Sequence, residues 1–177
     1  MSIIIKRLHH EQISYKVFSQ FRRYQVVTHC WNRAEGCWIL KDHSVIRDWT
    51  EQELKYVLLD LHRTVGFKGI VSGLFKDEKL IGFSAVESRI FGKLKEYVQL
   101  SHLHISYESR KNGYGRRLFD HACDRARDLG AIKLYISALC SKETITFYSN
   151  MGCVEAIEYN GTLAALEPDD IQLEFTL

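Results

Sequence analysis

Apolar residues recur along this chain with two periods, and each change of period marks an element. Ile3 to Leu8 is rich in β-branched residues and predicts a first strand. From Glu11 to Val27 the apolar positions Ile13, Val17, Phe18, Phe21, Tyr24 and Val27 have helical spacing. The segment from His29 to Trp49 is less regular and holds all three tryptophans, Trp31, Trp38 and Trp49. Thr50 with Glu53 makes a capping box. The helix it opens runs through Leu54, Val57, Leu58, Leu61 and Val65 and stops at Gly66. Gly69 to Phe75 and Leu80 to Ser88 flank the turn Lys76-Asp77-Glu78-Lys79 and predict an antiparallel hairpin. A long strand follows from Tyr97 to Ile105.

Beyond Gly115 the period returns to that of a helix. Tyr114, Leu118, Phe119, Ala122, Ala126 and Leu129 mark one face, and Gly130 ends it. The run from Ala131 to Leu139 alternates as a strand, and Ser141 to Met151 is a short helix closed by Gly152. Val154 to Tyr159 and Ile171 to Leu177 predict two last strands. Between them lies an acidic linker with Glu167, Asp169, Asp170 and the only proline, Pro168. The predicted order is β-α-α-β-β-β-α-β-α-β-β. No repeat, low-complexity tract or linker divides it, so one domain over residues 1–177 is expected.

Composition narrows the partners. A hydrophobic fraction of 46% and a charged fraction of 26% describe an ordinary globular chain. A formal net charge of +2 gives no global reason to expect nucleic acid or a membrane. No apolar run approaches the ~20 residues of a membrane span. The N-terminus has the wrong order of charge and apolar run for a signal peptide. Five cysteines with no C-x-x-C pair fit reduced thiols, so a cytoplasmic location is expected. His29, Cys30, Cys37 and His43 lie close in sequence, but their spacings match no usual zinc pattern and no metal is expected.

The sharpest local signal is Arg110-Lys111-Asn112-Gly113-Tyr114-Gly115. A strand that runs into a glycine-rich turn and then a helix gathers several backbone N–H groups at one point. The helix start adds a partial positive charge, so such a place binds anions, phosphates above all. Gly113 and Gly115 leave no Cβ in the way of a ligand. Arg110, Lys111, Arg116 and Arg117 add charge around the turn. The motif R-x-x-G-x-G is not the dinucleotide fingerprint, because Leu118 stands where the third glycine would be. It is not a P-loop, because no G-K-[ST] follows. A plain hairpin turn at Asn112-Gly113 is opposed by the helical period that comes next.

Ile105 lies five residues before Arg110 and Leu103 seven before. The motif is followed by a helix, a strand and a helix ending Phe147-Tyr148-x-x-x-Gly152-Cys153. In these features Leu100 to Val154 resembles the GNAT superfamily of N-acetyltransferases, and the element order of the whole chain agrees. The resemblance implies an α/β (α+β) GNAT fold with a mixed, mostly antiparallel twisted sheet of about seven strands and four helices. It also implies acetyl-CoA as donor. Leu103, His104 and Ile105 would offer main-chain groups to its pantetheine arm, and the N–H near Ile105 would stabilise an oxyanion. Asn112, Gly113, Tyr114, Gly115 and Arg116 would hold the pyrophosphate, with Arg110, Lys111 and Phe147 beside the cofactor. Tyr148 stands where the family commonly has a tyrosine that protonates the leaving thiolate. A phenol and an alkyl thiol have similar pKa values, so that transfer is nearly balanced. Ser141 occupies a position where the family often has an asparagine that helps hold the cofactor, and its hydroxyl would make a weaker cofactor contact there.

The attacking amine must lose a proton. Some family members carry Glu or His on the long strand, on the face of Leu103 and Ile105. Strict alternation puts Gln99 and Ser101 on that face, where they would meet the substrate, and His102 and His104 on the other. Glu87 is therefore the leading candidate base, with water-relayed removal as the alternative. The family places the acceptor between the first two helices and the last strands. Trp31 and Trp38, with Glu35 and Asp42, could wall a cationic amine there or simply fill the core. The expectation is an N-acetyltransferase acting on a primary amine of a small molecule, by direct attack through a tetrahedral intermediate, as a monomer or homodimer. The alternatives are a non-catalytic acyl-CoA-binding module and a protein or peptide N-acetyltransferase.

Overall fold

The computed structural model describes residues 2–177. The chain runs β1 (Ile3–Arg7), α1 (Tyr15–Phe18), β2 (Gln25–Ala34), β3 (Cys37–Arg47), α2 (Glu51–Gly66), β4 (Ile70–Lys76), β5 (Lys79–Val86) and β6 (Tyr97–Ile105). It continues α3 (Tyr114–Asp128), β7 (Lys133–Ala138), α4 (Lys142–Asn150), β8 (Val154–Glu155), α5 (Gly161–Leu166) and β9 (Ile171–Thr176). Seven strands form one sheet in the order β1-β4-β5-β6-β7-β9-β8. Every pairing in it is antiparallel except β6 with β7. This is the expected mixed sheet.

The sheet carries a core on each face. On one face Phe18 and Phe21 meet Phe83 with ring centroids 5.2 Å apart, and Leu54, Leu58 and Leu61 of α2 pack on them. On the other, Phe119, Ala122 and Ala126 of α3 pack against Leu134, Ile136 and Tyr148. The capping box at the start of α2 is present: the Thr50 N–H donates to Glu53 at 2.7 Å, and the Glu53 N–H donates to the Thr50 hydroxyl at 3.2 Å.

The predicted order needs three corrections. The helix expected from Glu11 to Val27 is only a 3₁₀ turn at His10–Gln12 and the single turn α1. Ile13, Phe18 and Phe21 do point into the core, so the period was real, but the β-branched run from Val26 to Thr28 takes the chain into a strand. The irregular segment with the tryptophans is a second, two-stranded sheet, β2 with β3. Its turn is Glu35-Gly36, with φ of 50° and 82°, and Ala34 pairs with Cys37 across it. Two left-handed residues in a two-residue loop match the twist of the strands. Most of β3 is exposed, which is why it lacks the apolar alternation that would have revealed it. Finally, the strand predicted from Val154 to Tyr159 is cut to two residues. Asn160, accepting from Thr162 and Leu163 at 3.1 and 3.2 Å, caps α5 inside the expected linker. The fold thus has five α-helices rather than four.

Candidate active site

β6 and β7 pair in parallel only from Tyr97 to Gln99 against Lys133 to Tyr135. Beyond that they part, so the rest of β6 has a sheet partner only on its β5 side. A cavity of about 580 Å³ fills the opening. Leu103, His104 and Ile105 line it on β6, Ser137 and Ala138 on β7, and Phe147 and Tyr148 on α4. Backbone groups on the free side of β6 need an outside partner.

The strand is also bulged. Ala85 pairs with His102 and Val86 with Leu100, leaving Ser101 as an extra residue. Leu100 and Leu103 both pack toward the α3 core, so the bulge reverses the alternation. This corrects the faces read from strict alternation. Gln99 lies in register with Tyr135 on β7 and lines neither cavity described here. Ser101 lines this cavity, but its hydroxyl donates to Glu87 at 2.6 Å. His102 lies 3.7 Å from the Asp60 carboxylate on α2. The His104 ring sits against Trp49 and Phe83 at 5.1 and 5.2 Å. Burial, with Arg23, His102 and Arg110 nearby, holds His104 well below its usual pKa, so it is neutral.

The glycine loop closes one end of this cavity. Gly113 caps α3 with φ of +77°, and Lys111 is also left-handed at 62°. The N–H groups from Lys111 to Arg116 have no acceptor among the described residues. Six free donors at a helix start form an anion site. Gly115 is needed for a different reason: a Cβ there would lie 3.0 Å from the Phe147 ring. Lys111, Gly113, Gly115 and Arg116 line the cavity. Arg110 also does, but its guanidinium is tied internally, donating to the Ile105 carbonyl at 3.0 Å and the Arg23 carbonyl at 2.7 Å. It fastens the loop to the end of β6. The Asn112 side chain donates to the Ser109 and Arg110 carbonyls and Tyr114 packs beneath the sheet, so both can offer a ligand only main chain.

Tyr148 lines the same cavity at 7% exposure, and its hydroxyl has no protein partner among the described residues. Burial, then Cys153 and Asp170, raise its pKa above that of a free tyrosine. Ser141 is spent on structure: it accepts from the Thr144 N–H at 3.2 Å and from Gln25 at 3.1 Å, capping α4. Glu87 accepts from Thr64 at 2.7 Å and Ser101 at 2.6 Å and lines neither cavity. It meets the first cavity only through the Ser101 hydroxyl.

A second cavity of about 260 Å³ lies alongside, and Leu139 borders both. Trp31, Trp38, His43 and Arg47 line it from the β2–β3 hairpin, and Pro168, Asp169 and Asp170 from the segment before β9. The Trp31 N–H donates to the Cys140 carbonyl at 2.8 Å and ties the hairpin to the main body. The Trp31 indole nitrogen is buried without a partner among the described residues. Trp38 donates to Glu155 at 3.0 Å and has Arg33 5.6 Å from its ring. Glu35 stands in the hairpin turn and Asp42 pairs with His29 at 3.3 Å, and neither lines this cavity. Asp169 and Asp170 were visible in sequence only as an acidic linker. The signal that could have found them is their place just before a strand whose partner is β7. No group of three or more His, Cys, Asp or Glu side chains gathers as a metal site among the described residues.

The site is thus a splayed parallel pair, a bulged central strand and a glycine loop with free N–H groups at the next helix. Residues 6–153 match the model of the Acetyltransferase (GNAT) family, and the chain belongs to it. The donor in this family is acetyl-CoA, and the free N–H groups, the glycines and the open flank of β6 fit it. Solved structures share the fold. One from Bacillus anthracis, assigned as a streptothricin acetyltransferase and bound to acetyl coenzyme A, is 15% identical with a TM-score of 0.74, over 100% of this chain and 99% of that one. Nourseothricin acetyltransferase is 13% identical with a TM-score of 0.72, over 99% of each chain. The PaiA N-acetyltransferase of Thermoplasma acidophilum, bound to coenzyme A, is 14% identical with a TM-score of 0.61, over 100% of each. No curated protein matches the chain.

Proposed function

We propose that this protein transfers the acetyl group of acetyl-CoA to a primary amine of a small molecule. The observation that carries the reading is the pair of adjoining cavities. One has the donor-binding features and Tyr148. The other is small, bordered by the same Leu139, and combines two tryptophans with two aspartates. An aromatic wall with carboxylates suits an organic cation. Its small volume favours a small amine over a folded protein surface. Two of the structural neighbours are named for streptothricin and nourseothricin, and those compounds lead the list of acceptors to try.

In this reading the main chain of Leu103 to Ile105 orients the thioester arm, and the N–H near Ile105 faces the oxygen that gains charge. The loop from Lys111 to Arg116 holds the pyrophosphate. Tyr148 keeps its proton until a thiolate needs it. The test is thiol release from acetyl-CoA with streptothricin, nourseothricin, amino acids, polyamines, aminoglycosides and short peptides. Turnover of a small amine supports the reading. Turnover confined to peptides would move the acceptor to a protein, and acetyl-CoA binding with no turnover would leave an acyl-CoA-binding module.

A further inference from the structure

Deprotonation of the incoming amine has no strong base on β6: desolvation and nearby cations hold His104 well below its usual pKa, which makes it a weak base, His102 lines neither cavity, and Ser101 is bonded to Glu87. The boundary between the two cavities does supply one. Asp170 lines the acceptor-side cavity. Its Oδ2 accepts from the Ser137 hydroxyl at 3.0 Å. Ser137 lies on the part of β7 that has left β6 and lines the donor-side cavity. The other carboxylate oxygen, Oδ1, has no protein partner among the described residues and is not sealed from the cavity. A carboxylate therefore stands at the seam, with one oxygen fixed and one free. We propose that Asp170 is the general base of the transfer, its free oxygen taking the proton from the ammonium of the acceptor as that amine approaches the thioester.

The step balances without another reactant. The proton goes from nitrogen to Asp170. The nitrogen lone pair forms the N–C bond, the C–S bond breaks, and the thiolate takes its proton from Tyr148. Asp170 then returns its proton to solvent, and the second proton, which the nitrogen sheds as the amide forms, is released to solvent, from which Tyr148 is reprotonated. The surroundings suit a base. Burial lifts the Asp170 carboxyl to about 6, Glu167 and Asp169 add to the shift, and the Ser137 hydrogen bond and Arg47 oppose it. The other charged or titratable groups around it are His43 on β3, Arg33 on β2, Cys140 after β7 and Tyr148 on α4. A carboxyl at about 6 is ionised at neutral pH yet close to it, where general-base catalysis is most effective.

This inference rests on the acetyl-transfer reading, and the test separates the two. The full chain and Asp170→Asn are assayed across pH 5–10 with whichever of streptothricin, spermidine or L-lysine the parent turns over fastest. The expected result is a fall in kcat of about 100-fold at pH 7, with KM for acetyl-CoA unchanged. The acidic limb of the pH profile should be lost, and the deficit should shrink at high pH, where the amine deprotonates itself. Ser137→Ala keeps the carboxylate but frees its anchored oxygen, and should lose roughly tenfold. Glu87→Gln should retain the acidic limb. An Asp170→Asn enzyme within threefold of the parent kcat, or one whose loss lies wholly in the amine KM, overturns the proposal. A parent that binds acetyl-CoA but acetylates none of the three amines overturns the acetyl-transfer reading on these acceptors, and the base assignment with it.

Discussion

Tyr148 and Asp170 are perturbed by the same cause, burial, with opposite consequences for their chemistry. The phenol is pushed further from ionisation, which displaces the near balance with a thiol that free pKa values suggest. Place, not acidity, is what favours it: its hydroxyl has no protein partner among the described residues and its ring lines the cavity. Tyr148→Phe should lower kcat by about 100-fold and change acetyl-CoA affinity by no more than about threefold. A variant as active as the parent would remove this residue from the mechanism. Gly113 is a residue-scale constraint of another kind. Its φ of +77° is costly for any other side chain and worst for a β-branched one, by about 1–2 kcal/mol or more. A Cβ there would meet nothing within 4 Å, so Gly113→Val should stay folded while the loop loses its donor array. Calorimetry should show acetyl-CoA binding at least tenfold weaker, and unchanged affinity would contradict the phosphate assignment.

At the scale of elements, the donor side was far more legible than the acceptor side. The strand–loop–helix from Tyr97 to Asp128 announces itself because the period changes from two to 3.6 across a glycine pair, and that change is local. The bulge at Ser101 is not local. It arises from how β5 and β6 pair, and strict alternation therefore put Gln99 and Ser101 on one face with Leu103. The β2–β3 hairpin was hidden for a different reason. It packs little of its own length, so burial imposes no pattern on β3. Ser141 looked like a weakened cofactor contact and proved to be a helix cap. Glu87 holds the bulge by accepting from Thr64 and Ser101. Glu87→Ala would leave the Thr64 and Ser101 hydroxyls only their longer bonds to the Asp60 and Ala85 carbonyls, at 3.1 and 3.3 Å. Chemical denaturation should register a loss of about 1–2 kcal/mol, and an unchanged midpoint would show that the bulge does not depend on this carboxylate.

For the whole molecule, the seven-stranded sheet supplies the donor cavity, and the separate hairpin with the segment before β9 supplies the wall of the other. No described helix is long and apolar enough to cross a membrane. The half-buried acid at the seam has a cost for folding. Asp170 titrates at about 6 in the folded chain against the ordinary 3.8. Between those values the folded state holds more protons than the unfolded state, so this group's contribution to stability falls as pH rises from about 4 to about 6. Asp170→Asn should remove that slope and be the more stable protein above pH 6, by thermal unfolding. An equal or lower stability there would mean the carboxylate is not strained by burial.

The central claim is that the two cavities form one acetyl-transfer site. Its most direct test is continuous measurement of free thiol from acetyl-CoA with the amine panel, with each acetylated product identified by mass. The account predicts amine-dependent thiol release and an N-acetylated small molecule. Tight acetyl-CoA binding with no release above the amine-free rate, for every amine tried, would contradict it.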